Sequence, residues 1–194
     1  MPDHPGNKNL SGNLGHVREF GSQLKYLGPL SRFNKKKCAP KYDLLVLLSG
    51  PEPQRSYLEI KLLQDLELYK GKVLFIKGKI EPRQTKETAY NITIFNFMTT
   101  TELEVAINES DLILSRSGYT TIMDLAKLEK KAFFIPTPGQ FEQEYLAEKL
   151  MKEGVIPSCS QNKFEIQMLS NTNNYSGFKA LDFELNFKEL FSLF

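Results

Sequence analysis

Apolar residues gather in five short runs that begin near Leu44, Val73, Ile92, Asp111 and Ala132. Runs of four or five residues with little polar alternation predict strands buried on both faces, as a parallel sheet requires. Between them the period lengthens to that of a helix. Gln54 to Tyr69 carries Tyr57, Leu58, Ile60, Leu62, Leu63, Leu66 and Leu68 on and around one face. A short helix follows the N-capping cluster Thr99, Thr100 and Thr101, with Leu103, Val105, Ala106 and Ile107. A third runs from the turn at Ser115 to about Leu128, and a fourth, Phe141 to Glu153, turns Leu146, Ala147, Leu150 and Met151 inward. Strands alternating with helices predict an α/β fold, a doubly wound and mostly parallel sheet with helices on both faces. Ligands of such sheets lie beyond the carboxyl ends of the strands.

Outside these elements the pattern weakens. Residues 1 to about 22 hold glycine, asparagine and serine with almost no apolar period, and predict a loop or poorly ordered lead-in. Tyr26 to Leu30 reads as a short strand ending in a turn, Lys35 to Lys37 as a solvated basic tract, and Gly78 to Tyr90 as a surface loop. Past Gly154 come a short Val155–Ile156 segment, a helix over Lys163 to Leu169, a polar stretch to Gly177, and an amphipathic end from Phe183 to Phe194 that must bury its phenylalanines. The organisation expected is a linking segment over 1–40, an α/β domain over 41–170 and an extension over 171–194.

Composition narrows the function. A chain of 194 residues with 41% hydrophobic and 25% charged side chains is of soluble globular type. Its formal charge of +2 is too small to point to nucleic acid. No apolar run reaches the length of a membrane span and the opening residues do not form a signal peptide, so a cytoplasmic chain is expected. Cys38 and Cys159 follow no metal or redox spacing and read as free thiols; His4 and His16 lie together in the polar opening segment, so no metal site is expected.

Three loops at the sheet's carboxyl edge carry the candidate chemistry. In Ser115 to Asp124, Gly118 allows close backbone approach, Ser117 is the expected N-cap, and the first-turn amides of the helix attract phosphate. Asp124, seven residues beyond Ser117 and about ten ångströms along the helix at roughly 1.5 Å per residue, falls on the face of Ser117 and Thr121. Phosphate at the turn and ribose hydroxyls at the acid would suit a nucleotide, although an ordinary strand-to-helix turn has the same spacing. In Ser49 to Arg55, Ser49, Gly50 and Arg55 form a candidate phosphate loop, with neither a Rossmann fingerprint nor a P-loop. In the third, after Pro136 to Gln140, Glu142 and Gln143 open a helix. They either complement its dipole, worth about 0.3–1 kcal/mol, or hold sugar hydroxyls.

These residues in this order resemble the C-terminal, donor-binding half of glycosyltransferase family 28, one Rossmann-like half of a GT-B enzyme. That group includes the bacterial enzyme that adds N-acetylglucosamine to the peptidoglycan lipid precursor. The likeness runs from about Tyr42 to Val155 and is sharpest in SRSGYTTIMDLAKLEKKAFFIPTPGQFEQEYLAEKL, while YLGPLSRF is similar to the segment that joins the two halves. It implies that Ser117, Gly118 and Tyr119 hold the diphosphate through the backbone, with Thr120 among the donor-binding residues. It further implies that Asp124, where the family usually has Glu, takes the ribose, that Glu142 and Gln143 hold the donor sugar, and that the Met98 backbone lies against the base. The Ser49 loop departs from the family's Gly-Gly-Ser-x-Gly pattern.

The resemblance implies an inverting hexosyl transfer from a UDP-sugar such as UDP-GlcNAc, with no cofactor. An acceptor hydroxyl displaces the nucleoside diphosphate, whose charge is met by amides, the helix dipole and Arg116 or Arg55. The general base and acceptor site are expected in an N-terminal half. That half is either the rest of a larger enzyme, the reading the interrupted opening favours, or a separate membrane-bound subunit, as in the eukaryotic two-chain dolichol-linked transferase. Either would bring peripheral contact with the cytoplasmic membrane face. The rivals are a nucleotide-sugar epimerase or hydrolase of the same fold, whose Asp-Ser-Gly-Gly run is replaced here by Arg116 and Tyr119, and a non-catalytic binding subunit.

Overall fold

The computed structural model describes residues 1–6, 9–16 and 24–179. Among the described residues six strands and four α-helices follow in the order β1 (Tyr42–Leu47), α1 (Gln54–Asp65), β2 (Val73–Ile76), β3 (Lys86–Ala89), β4 (Ile92–Phe95), α2 (Thr100–Asn108), β5 (Ser110–Ser115), α3 (Tyr119–Lys127), β6 (Lys131–Phe134) and α4 (Phe141–Lys152). They form one sheet in the order β3-β4-β2-β1-β5-β6. All neighbours are parallel except β3 and β4.

Alternation along the strands sorts the core into two layers. Leu44, Val46 and Leu48 pack with Val73, Phe75, Leu114 and Phe133 under Leu58, Leu62 and Leu66 of α1 and its 3-10 extension. Leu45, Leu74, Ile76, Ile113 and Phe134 point the other way, to Ile107 of α2, Ile122 and Leu125 of α3, and Leu146 and Leu150 of α4. The sheet is therefore covered on both faces, the doubly wound arrangement that the unalternated runs predict. At its carboxyl edge Gly78 (φ +66°) lies so close to β1 that a Cβ there would stand 2.2 Å from the carbonyl oxygen of Leu48. Only glycine satisfies both the turn and that approach.

Several local expectations are corrected. The polar stretch read as a loop contains β3, whose four residues are all exposed. An edge strand with no buried face leaves no apolar alternation to read. Tyr26–Leu30 is not a strand, and Val155–Ile156 adds only the approach to an isolated parallel bridge between Phe134 and Ser158. The helix expected over Lys163–Leu169 is a 3-10 segment at Ile166–Asn174, after a shorter one at Gln161–Lys163. The basic tract Lys35–Lys37 is exposed as expected, with Lys35 pairing to Glu129 and Lys36 to Glu104 at the surface. The lead-in is packed where it is described, with Asp3, Leu10 and Ser11 buried and a 3-10 turn at Gly12–Leu14. Burial continues to Phe178, and the amphipathic end over Phe183–Phe194 lies outside the described residues. Cys38 and Cys159 are free thiols. Among the described residues no helix is long and apolar enough to cross a membrane.

Candidate functional site

Strand order places the site. From β1 the chain passes to β2 on one side, and from β5 to β6 on the other, so the crossovers diverge between β1 and β5. A crevice opens outside the strand ends at such a switch point. Leu47 is paired with Ser115, and Ser115 with Phe134. The loops after β1, β5 and β6 therefore leave the edge side by side.

The β5 loop delivers α3. Gly118, not Ser117, is its N-cap, with extended φ −65° and ψ 142° and no side-chain cap. Ser117 is fully buried and its hydroxyl donates instead to the Gln143 carbonyl at 2.7 Å. The first helical bond runs from the Ile122 amide to the Gly118 carbonyl. The amides of Tyr119, Thr120 and Thr121 precede it and have no carbonyl one turn back. A Cβ built on Gly118 would meet nothing within 4 Å, so this positive helix end faces open space.

Neither arginine offered to phosphate is free to touch it. Arg55 is 5% exposed and grips Glu52, Glu59 at 2.7 Å and the Lys77 carbonyl at 3.1 Å. Two carboxylates thus neutralise it, and Lys77 and Lys79 crowd the same Glu59. Arg116 is 1% exposed and donates to four neutral acceptors: Ile135 O at 3.1 Å, Pro136 O at 3.0 Å, Gln54 O at 3.0 Å and Gln161 Oε1 at 2.7 Å. Burial alone pulls its pKa down to about 10, so it stays charged at neutral pH. Arg116 ties the three loops together from behind. Ser49 and Gly50 remain exposed at the edge, and a Cβ on Gly50 would lie 3.5 Å from the Thr137 hydroxyl.

The first turn of α4 is divided in role. Glu142 is exposed. Gln143 is half-buried and braces the preceding loop, its Oε1 accepting from the Thr137 amide at 2.9 Å and its Nε2 donating to Gln140. Met98 ends the β4 side, half-buried against the core, next to a Phe97 carbonyl that accepts from Gln84 at 3.0 Å.

Asp124 departs most from expectation. The spacing along α3 is as expected, yet the side chain is only 8% exposed, with the stretch around Ser31 packed against it. Ser31 Oγ donates to Asp124 Oδ1 at 2.6 Å, and Phe33 is buried in the core beside α3. Burial raises the Asp124 pKa, against the Ser31 hydrogen bond and the Arg32 charge, which lower it. The opening residues close the neighbouring surface. Tyr119 donates its hydroxyl to Pro2 O at 2.6 Å, the Asn13 amide donates to the Tyr145 hydroxyl at 2.8 Å, and Lys149 reaches Asn9 O at 2.6 Å. Burial, with Asp3 close by, pushes the Tyr119 phenol up. Asp3 is sealed and accepts from the amides of His4, Leu10 and Ser11, from the Ser11 hydroxyl, and pairs with His16 at 3.2 Å. Ser31 and Asp3 were not singled out from the sequence, since they lie in stretches without period and acquire partners only through tertiary packing.

The model for the glycosyltransferase family 28 C-terminal domain matches residues 57–177. A UDP-N-acetylglucosamine–N-acetylmuramyl-(pentapeptide) pyrophosphoryl-undecaprenol N-acetylglucosamine transferase from Haemophilus ducreyi is 28% identical over 162 residues, which cover 80% of this chain and 44% of that protein. The chain thus spans less than half the length of that relative. Among solved structures, MurG of Acinetobacter baumannii superposes with a TM-score of 0.51 at 20% identity, over 72% of this chain and 44% of its own. The solution structure of ALG13 gives 0.54 at 17% identity, over 73% and 90%. The spinosyn forosaminyltransferase SpnP gives 0.54 at 13%, over 76% and 41%. At these identities the structural likeness is one of fold.

Proposed function

The chain belongs to glycosyltransferase family 28, as its C-terminal domain, and we propose that it is the donor-binding half of an inverting hexosyltransferase that uses a UDP-sugar such as UDP-GlcNAc. One observation carries the reading: an uncapped helix start at the switch point of the sheet, open at Gly118, with a carboxylate on the same helix. Amides without intrahelical partners at the positive end of a dipole suit a diphosphate. Asp124 accepts from the ribose, the Met98 backbone meets the base, and the first turn of α4, with Glu142 exposed and Gln143 bracing the loop beside it, meets the sugar. The name of the Haemophilus relative, a transferase of N-acetylglucosamine from its UDP ester, supports the choice of donor.

Transfer needs a nucleophile and a base that this reading assigns to an N-terminal acceptor half, in the same enzyme or in a separate subunit at the cytoplasmic membrane face. The acceptor hydroxyl loses its proton to that base, its oxygen bonds to the anomeric carbon, and the bond to the diphosphate breaks. The negative charge released on the diphosphate oxygens is stabilised by the Tyr119, Thr120 and Thr121 amides, which are already oriented. Isothermal titration with UDP, UDP-GlcNAc and UDP-glucose tests the reading. Binding of UDP that Asp124→Ala weakens at least tenfold supports it, together with no sugar transfer by the 194 residues alone. If no nucleotide binds, the donor site is refuted and a non-catalytic interaction module takes its place.

A further inference from the structure

Asp124 is held by its neighbour in a way that leaves its two oxygens unequal. Ser31 Oγ gives its single proton to Oδ1 at 2.6 Å and accepts from the Phe33 amide at 3.1 Å. The hydroxyl therefore has one orientation, fixed from both sides. Phe33, 1% exposed, anchors that segment in the core, and Arg32 lies over its ring with 5.0 Å to the centroid. Oδ2 accepts from none of the described residues, and it is not among the buried polar atoms left without a partner. With Asp124 8% exposed, Oδ2 is the oxygen that these residues leave unengaged.

We propose that Ser31 is a positioning residue for ribose recognition: by occupying Oδ1 it fixes the Asp124 carboxylate so that Oδ2 accepts from one ribose hydroxyl of the donor. This rests on the donor-site reading and adds to it a residue from outside the sheet. A carboxylate that rotates freely can grip a vicinal diol with both oxygens and tolerates the loss of either hydroxyl. One whose first oxygen already accepts and whose plane is thereby fixed presents Oδ2 in a set direction, so it favours the hydroxyl aligned with that oxygen and binds the analogue lacking it less well. Fixing the rotamer in advance also lowers the entropy lost on binding. The linking segment thereby becomes part of the donor site.

The test compares UDP with 2′-deoxy-UDP and 3′-deoxy-UDP, titrated by calorimetry or amide NMR into the unaltered chain, Ser31→Ala and Ser31→Thr. The unaltered chain is expected to prefer UDP about tenfold over one deoxy analogue and much less over the other, a hydrogen bond's worth of selectivity. Ser31→Ala should reduce that preference below about threefold while the affinity for the rejected analogue stays within about twofold. Ser31→Thr, which keeps the hydroxyl, should restore it. A merely structural Ser31 would weaken all three ligands together, and that result overturns the proposal. Tighter UDP binding by Ser31→Ala also overturns it, because the serine would then compete with the ribose. If the unaltered chain binds UDP without ribose selectivity, the role of Asp124 falls and Ser31's with it; if it binds no UDP, the donor site itself falls.

Discussion

Replacing Arg116 separates packing from hydrogen bonding at the back of the site. The guanidinium is 1% exposed and serves three main-chain carbonyls, of Gln54, Ile135 and Pro136, and the Gln161 side chain. Its charge is a cost in itself. Burial depresses its pKa to about 10 from 12.5, so the folded state disfavours the protonated form below that window, and the penalty is relieved only as pH rises through it. What the residue contributes is therefore its donors. Without them one buried carbonyl, two half-buried carbonyls and a half-buried amide oxygen lose their donor at about 1 kcal/mol each, which gives a loss of roughly 3–5 kcal/mol for Arg116→Ala. At about 2–4 °C per kcal/mol for a chain of this length, the melting temperature falls by roughly 6–20 °C. Arg116→Met fills the volume without donors and should lose nearly as much. Arg116→Lys keeps three donors on one nitrogen, which cannot fork across acceptors from three loops, and should recover about half. Urea unfolding followed by circular dichroism measures all three variants. If Arg116→Met stays within about 1 kcal/mol of the unaltered chain, the carbonyls do not need their donor and the argument fails.

Other perturbations address the front of the site and the opening segment. Gly118→Ala should fold almost unchanged, within about 1 kcal/mol of the unaltered chain, because φ is −65° and the new Cβ meets no atom within 4 Å. The same Cβ would stand where the diphosphate is proposed to lie, so UDP affinity should fall more than tenfold; unchanged affinity places the phosphate elsewhere. Acid should unfold the chain partly through Asp3 and Glu59. Burial works to raise both pKa values, but donors prevail and hold them below 3.8 and 4.5: for Asp3 the Ser11 hydroxyl and the amides of Leu10, Ser11 and His4, for Glu59 the Arg55 and Lys79 side chains. A depressed acid stabilises the fold above its unfolded value and loses that contribution as pH falls through the folded one. Asp3→Asn should accordingly flatten the loss of stability below about pH 4, and an unchanged acid profile removes Asp3 from the account.

The sheet was legible because its strands are hydrophobic on both faces, and the positions from Leu44, Val73, Ile92, Asp111 and Ala132 all fall in strands. Lys86–Ala89 escaped because an exposed edge strand needs no apolar residue; its pairing with β4 rests on backbone bonds, which carry no compositional mark. The turn at Gly118 was legible in outline, through the glycine and the change of period, but the cap was misplaced by one residue. Ser117 has the right chemistry for a cap and a better partner in the Gln143 carbonyl, supplied by α4. The same limit explains Arg116 and Arg55. Sequence marks both as cations near a loop, and only the fold decides that one meets carboxylates and the other carbonyls. Asp3 and Ser31 lay deeper still, since burial of a polar opening segment depends on α3 and α4 offering it a surface.

The three loops differ in how firmly they are set, and this bears on which part of a donor supplies the affinity. The Ser117 hydroxyl fastens the β5 loop to α4, Gln143 fastens α4 to the Thr137 amide, and Arg116 fastens both to α1. The end proposed for phosphate is therefore already held by side-chain bonds, with little ordering cost left to oppose binding. Gln143, proposed for the sugar, already spends its amide within this network, and the exposed Glu142 has yet to be fixed. A sugar meeting one exposed carboxylate and one committed amide gains little on this chain, because ordering Glu142 offsets most of a hydrogen bond worth about 0.5–1.5 kcal/mol. UDP and UDP-GlcNAc should accordingly bind within about tenfold of each other, and Glu142→Ala should change UDP affinity less than about twofold. Calorimetric titration of both ligands decides the matter. UDP-GlcNAc binding a hundredfold tighter than UDP would mean that the sugar pocket is complete here without further residues.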